Sequence, residues 1–210
     1  MLRVIIADDH PVVLIGLREI IKDSFHDVTV DETRRGYEAI SRIQNNRYDA
    51  AILDIALPDI SGLDAVREIK KRKPKLPVLV MSMHPDEHYA LRAIRAGGQG
   101  YVSKRSSVSE FVQALQKILA GKRYVNPTFA EQVLFEVESD AERPPHERLS
   151  NRELQVACMI GRGKTIKQIT EELHLSMNTI RTYRARVMEK MGVKATSELI
   201  RYAMKHSLVE

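Results

Sequence analysis

The stretch RVIIADD, residues 3–9, is an apolar run that stops abruptly at two aspartates. An unbroken run of this kind, rich in β-branched residues, reads as a strand over residues 3–7 that is buried on both faces. The form recurs outward from it. AAILD at 50–54 gives a strand over 50–53, and PVLVMS at 77–82 gives one over 77–81. Shorter runs at 28–30 and 100–102 read as two further strands. Between them the apolar spacing is helical. Val13, Leu17, Ile20 and Ile21 recur at i, i+4, i+7 and i+8. Val108, Phe111, Val112, Leu115, Ile118 and Leu119 form a full stripe that Gly121 stops. Five strands alternating with five helices predict an α/β doubly wound sheet of five parallel strands. Ligand sites of such sheets lie beyond the carboxyl ends of the strands. Asp8, Asp9, Asp54, Ser82 and Lys104 each stand at or just past a strand end, so all converge on one rim.

Three carboxylates on one rim repel one another unless a cation sits among them. Mg²⁺ suits the task, because it takes oxygen ligands, keeps several waters and pairs with phosphate. An aspartate beside Mg²⁺ can attack a phosphoryl group, and the transfer needs positive charge and donors on the phosphoryl oxygens. Lys104 and the Ser82 hydroxyl supply both.

This arrangement resembles the receiver domain of two-component response regulators. The residues that carry the resemblance are the Asp8–Asp9 pair, Asp54 in LDIALPDISG, Ser82 in VLVMSMH and Lys104 in GYVSK. The resemblance implies a flavodoxin-like fold with Asp54 as phosphoacceptor. It implies Mg²⁺ bound directly by Asp9, Asp54 and the backbone carbonyl of Ala56, with Asp8 helping, and Ser82 and Lys104 stabilising the phosphoryl group. Tyr101 stands at the family's aromatic switch position, and Ser82 where threonine is frequent. On phosphorylation Tyr101 would move inward, and the face built by strand 4, helix 4 and helix 5 would change. A haloacid-dehalogenase-type phosphatase also uses a strand-end aspartate, but it wants a second aspartate two residues on, where this chain has Ala56. The expectation is therefore a regulator and not an enzyme.

From Leu149 the pattern is all helical. Ser150–Glu153 reads as a capping box, Thr165–Gln168 as the start of a second helix, Ser176 as the cap of a third helix, and Thr196 or Ser197 as the cap of a fourth. Gly161 and Gly163 end the first of these helices, and Gly192 the third. Ile180, Val187 and Met191 face inward on the third, and Leu199, Ile200, Ala203 and Met204 on the fourth. The short His174–Leu175–Ser176 connection has helix-turn-helix spacing. A helix carrying Arg181, Arg184 and Arg186 can lie in a major groove, and capped helix starts near Thr165 and Ser176 can take phosphates. LSNRELQVACMIGRGKTIKQITEELHLSMNTIRTYRARVMEKMGV resembles the LuxR-type (NarL/FixJ) DNA-binding domain, with the helix-turn-helix at about 166–185. The resemblance puts base contacts near Arg181 and Thr182 and adds Lys164, Thr165, Asn178, Arg184 and Arg186 as contact candidates. It implies paired half-sites on double-stranded DNA, with a contact between copies through Thr196, Leu199, Ile200 and Ala203. Ala185 falls at another contact position and cannot donate, which leaves Arg184 or Arg186 to substitute. Ile166 replaces the family's usual asparagine, and Thr170 its usual alanine.

The charge agrees with two modules. The 210 residues carry 33 Lys+Arg and 28 Asp+Glu, yet residues 1–148 are neutral and the whole excess of +5 lies in residues 149–210. The domains expected are a receiver over 1–121, a linker over 122–146 with a helix at 128–139 opened by a Thr128–Glu131 capping box, and a helix-turn-helix domain over 147–210. Cys158 is the single cysteine, which excludes an internal disulfide and a Cys-rich zinc site, and it reads as a core residue. No apolar run approaches the roughly 18 residues of a membrane helix, so the cytoplasm is the expected location and no membrane is expected as a partner. The other expected partners are a cognate histidine kinase, RNA polymerase at the promoter, and a second copy of the chain. His84 and His88 read as a surface pair, with His84 near enough to the pocket to affect acyl-phosphate hydrolysis. Arg34–Arg35 and residues 70–73 read as solvated helix ends. Two rival readings stay open: a constitutive DNA-binding factor with a vestigial receiver, and a module whose basic helices bind a protein.

Overall fold

The computed structural model describes residues 1–83, 87–126, 144–206 and 208–209. The helix expected at 128–139, its Thr128–Glu131 box, and the His84–His88 pair lie outside the described residues and side chains. The chain divides into two compact units, Met1–Glu138 and Ser139–Glu210.

In the first unit the strands β1 (Leu2–Ala7), β2 (Val28–Thr33), β3 (Ala50–Asp54), β4 (Val78–Ser82) and β5 (Gly100–Ser103) alternate with helices. These are α1 (Pro11–Ser24), α2 (Gly36–Asn45), α3 (Gly62–Arg72), α4 (Glu87–Arg95) and α5 (Val108–Leu119). All strand pairs are parallel, in the order β2-β1-β3-β4-β5. That is the flavodoxin-like order of a doubly wound sheet. Alternation of side chains along the strands builds two cores. Val4, Ile6, Ala50, Ile52, Leu79, Met81 and Val102 pack with Leu14, Leu17 and Ile21 of α1 and Phe111, Leu115 and Ile118 of α5. The intervening Ile5, Ala51, Leu53, Val78 and Val80 are buried on the face that α2, α3 and α4 cover.

The reading of β2 is corrected. β2 extends past Val30 to Thr33, in register with Ala7. Asp31 and Glu32 fit this edge strand because Arg3 and Arg18 pair with them at 2.8 and 2.9 Å, and the Tyr48 hydroxyl donates to Asp31 at 2.7 Å. Beyond α5 the chain returns to the sheet. The Tyr124 N–H donates to the Gln99 carbonyl at 2.9 Å, and Tyr124 bridges Gly100 beside β5.

The second unit begins with a 3-10 turn, Pro145–Arg148, whose buried His146 meets the Tyr202 hydroxyl at 2.9 Å. The helices α6 (Asn151–Gly161), α7 (Ile166–Leu173), α8 (Met177–Met191) and α9 (Thr196–Lys205) follow. The expected Ser150–Glu153 capping box forms, Thr165 and Gln168 form a second one, and the Ser176 hydroxyl accepts from the Thr179 N–H at 3.1 Å. The α7–α8 turn is tight because His174 takes a left-handed conformation (φ 49°), and Gly192 does the same after α8 (φ 66°). Thr170, the departure in the turn, is satisfied by donating to the Ile166 carbonyl at 2.8 Å. Ile180, Val187 and Met191 are buried as expected, and so is Cys158. α9 differs from expectation. Its N-cap is Ala195, and Glu198 takes over by accepting from the Lys194 and Ala195 N–H groups at 2.8 and 3.3 Å. Leu199 and Ala203 are fully buried, whereas Met204 is 63% exposed. An i, i+4 pair fills the narrow inward stripe of a short helix, and Met204 lies about 100° further round.

Candidate functional site

The apolar backbone of β1 and β3 ends where the helices stop covering the sheet, and there the carboxylates stand. Asp8 and Asp54 are buried, at 1% and 2% exposure. Lys104 reaches them from the β5 side. Its backbone N–H donates to the Ser82 carbonyl at 2.7 Å, which fixes the start of the side chain. Its ammonium then lies 2.5 Å from Asp8 Oδ2 and 3.1 Å from Asp54 Oδ1. Asp54 Oδ2 is buried with no hydrogen-bond partner among the described residues. Burial pushes the Asp54 carboxyl up to about 6; Lys104 opposes this, while Asp8 and Asp9 add to it. One ammonium cannot balance three carboxylates, so the pocket favours a further cation.

The oxygen donors fit a hard divalent ion. Asp8, Asp9, His10 and Asp54 each offer a ligand atom within 4.8 Å of the others. His10 is a member that sequence reasoning missed. Its Nδ1 lies 2.7 Å from Asp9 Oδ1 and 3.2 Å from Asp8 Oδ1, and its backbone N–H donates to Asp8 Oδ1 at 3.0 Å. Ala56 lies in the turn directly after β3. That turn is held by Asp59, whose carboxylate accepts from the N–H groups of Gly36 and Tyr37 at 2.8 and 3.0 Å and so caps α2. Gly62 closes the turn, and a Cβ there would collide with the Asp54 carbonyl. Ser82 is buried at the end of β4, and Tyr101 is already 93% buried on β5, opposite Val80.

Two supposed solvated helix ends have partners. Arg34 donates from Nη2 and Nε to the Asp9 carbonyl at 3.2 and 3.4 Å. Lys70 donates to the carbonyls of Pro74 (3.3 Å) and Leu76 and to Gln99 Oε1 (2.9 Å), which ties α3 to the start of β4 and β5. Burial pulls its pKa down to about 8.

In the second unit, Asn178, Arg181, Thr182, Ala185 and Arg186 are exposed on α8. Arg184 is half-buried, and its Nη2 donates to the Thr196 hydroxyl at 2.9 Å, which joins α8 to the first turn of α9. Lys164 pairs with Glu172, and the Thr165 hydroxyl accepts from the Gln168 N–H at 3.3 Å as the α7 cap. Lys190 Nζ lies 2.6 Å from the buried Glu153 carboxylate and holds α8 to α6. Of the residues expected at a contact between copies, Leu199 and Ala203 are consumed by burial and Thr196 is bonded to Arg184, so Ile200, half-exposed, is the one that remains.

Both units resemble known proteins. Residues 4–116 match the family described as response regulator receiver domain, and residues 147–203 match the LuxR family of bacterial regulatory proteins. The chain is 32% identical to the response regulator UvrY of Escherichia coli over 209 residues, covering 99% of this chain and 96% of UvrY. It is 30% identical to the response regulator GacA of Pseudomonas protegens, covering 100% of this chain and 99% of GacA. Among solved structures it resembles RcsB of Salmonella enterica serovar Typhimurium bound to promoter rprA in the presence of the phosphomimetic BeF₃⁻. That match has a TM-score of 0.64 and 25% identity, over 96% of this chain and 98% of RcsB.

Proposed function

Since the chain belongs to the response regulators that carry a LuxR-type DNA-binding domain, phosphorylation-switched regulators of transcription, we propose that its switch is a phosphoryl group on Asp54. The observation that carries this is the buried, unpartnered Oδ2 of Asp54 beside the Lys104 ammonium. Asp54 Oδ2 forms the new bond to phosphorus while the bond to the donor, the phosphohistidine of a cognate kinase, breaks. Lys104, already 3.1 Å from Asp54, pairs with the oxygens that arrive, and the Ser82 hydroxyl donates to them. Asp8, Asp9, Asp54 and the Ala56 carbonyl would hold Mg²⁺. When bound, it offsets the excess carboxylate charge and polarises the phosphoryl oxygens.

The added charge draws Lys104 and Ser82 inward and biases β4 and β5, on which Tyr101 lies. Tyr101 is buried before any such change, so its role is to hold one packing of β5 rather than to travel from solvent. The output is binding of double-stranded DNA at paired half-sites by two copies. Arg181, Thr182, Asn178 and Arg186 read or grip the duplex, supported by Lys164 and Thr165 at the start of α7. RcsB dimers bound to DNA support this arrangement by likeness. Among the described residues no helix is long and apolar enough to cross a membrane, in keeping with action on DNA in the cytoplasm.

The test is phosphorylation of the full chain by acetyl phosphate with Mg²⁺, read by intact mass and peptide mapping. A single adduct on Asp54, absent from Asp54→Asn, is expected. An unmodified wild-type chain would mark a vestigial receiver. In a salt titration of DNA binding, affinity should fall steeply with salt; a flat curve would favour a protein partner for α8.

A further inference from the structure

Lys104 and Arg34 approach the carboxylates from opposite ends of the sheet. Lys104 follows β5 and Arg34 follows β2, while Asp8, Asp9 and Asp54 stand on β1 and β3 between them. The two cations are differently placed. The Lys104 side chain is 4% exposed and paired with two carboxylates. Arg34 is exposed, and what it grips is a backbone carbonyl, that of Asp9. A neutral carbonyl leaves the guanidinium charge uncompensated. A guanidinium carries five N–H donors in a planar fork, and the Asp9 carbonyl occupies only two of them. Beside it Asp9 Oδ1 lies 2.7 Å from His10 Nδ1, and among the described residues the Asp9 carboxylate forms no ion pair with Arg34. The result is an exposed cation beside Asp9 whose remaining donors have no partner among the described residues.

We infer that Arg34 is a donor-recognition residue that captures the phosphoryl oxygens of a small dianionic phosphodonor before transfer. The inference rests on the reading of Asp54 as phosphoacceptor. The ligand class is an acyl phosphate, small enough to enter without a protein carrier. For an acyl phosphate, the Asp54 oxygen forms the P–O bond as the bond from phosphorus to the acyl oxygen breaks. The electron pair leaves with the carboxylate product, so the step needs no proton and no oxidant. Because Arg34 is exposed at the rim, it acts on capture of the dianion and hardly on the chemical step. Its hold on the Asp9 carbonyl sets the direction of the fork.

The experiment uses the full chain with Mg²⁺. Initial rates of Asp54 phosphorylation are measured against acetyl phosphate concentration at low and high salt. The proteins compared are wild type, Arg34→Ala, Arg34→Lys and Arg34→Gln. Mg²⁺ affinity by calorimetry reports whether the Asp9 loop has moved. Arg34→Ala is expected to raise KM about fivefold at low salt, with the maximal rate changed by less than about twofold. Arg34→Lys should recover most of the KM, Arg34→Gln should behave as Arg34→Ala, and the difference should shrink at high salt. An unchanged KM in Arg34→Ala overturns the inference. So does a normal Arg34→Gln beside a defective Arg34→Lys, because the hydrogen bond to Asp9 would then be the whole role. A wild-type chain that takes no phosphoryl group overturns the Asp54 reading itself, an outcome distinct from a normal wild type with an indifferent Arg34→Ala.

Discussion

Asp54 is held in a pocket that resists its charge. Burial is the largest cause and sets its pKa at about 6, above the unfolded value of 3.8. A folded value above the unfolded one means that folding favours the protonated acid. Its stabilising contribution is therefore complete below about pH 4 and is lost as pH rises through 6. Asp54→Asn is accordingly expected to stabilise the metal-free chain at pH 7 by about 1–3 kcal/mol, and to leave it unchanged at pH 4. Urea unfolding of both proteins between pH 4 and 8 measures the difference, and added Mg²⁺ should narrow it. At this scale Asp8, Asp54 and Lys104 were legible in the sequence, because each ends an apolar run. Arg34 was not. Ending β2 at Val30 left Arg34 remote from the rim, whereas pairing through Thr33 brings it beside Asp9. His10 directly follows the aspartate pair and carried the signal of adjacency alone.

Elements in the second unit are joined by single polar contacts that can be broken one at a time. Burial pushes the Glu153 carboxyl up, but the Lys190 ammonium and the Ser150 N–H outweigh it and hold the pKa below the usual 4.5. The sign is opposite to that of Asp54. This stability is present above pH 4.5 and is lost as pH falls. Glu153→Gln should therefore flatten acid unfolding of the helical unit, followed by circular dichroism between pH 3 and 6. Ser150→Ala removes the other half of the cap and should cost about 1 kcal/mol. On α8 the exposed arginines differ from the bonded one. Arg181→Ala is expected to weaken DNA binding by about 1–3 kcal/mol in fluorescence anisotropy. Arg184→Ala should act less on DNA binding and more on thermal stability, because its guanidinium holds Thr196. Helix starts were readable wherever a hydroxyl caps them, at Ser150, Thr165 and Ser176. The start of α9 was misread because Ala195 has no side-chain oxygen and Glu198 does the capping from inside the helix. The outward turn of Met204 was hidden by an apolar sequence that satisfies more than one helical face.

The division of charge, none over residues 1–148 and +5 over 149–210, coincides with a division of labour. A neutral unit can hold a dense carboxylate cluster without repelling phosphodonors at long range, and the basic unit supplies the salt-dependent grip on DNA. On the proposed reading, a change of charge at Asp54 couples the two activities. The direct measurement is DNA affinity of the full chain, using a promoter fragment recovered by genome-wide footprinting with the protein itself. Wild type and Asp54→Asn are compared with and without acetyl phosphate and Mg²⁺. Wild-type affinity is expected to change by about fivefold or more on phosphorylation, while Asp54→Asn does not respond. An equal response in both proteins, or no response in a wild type that is phosphorylated on Asp54, would contradict this coupling.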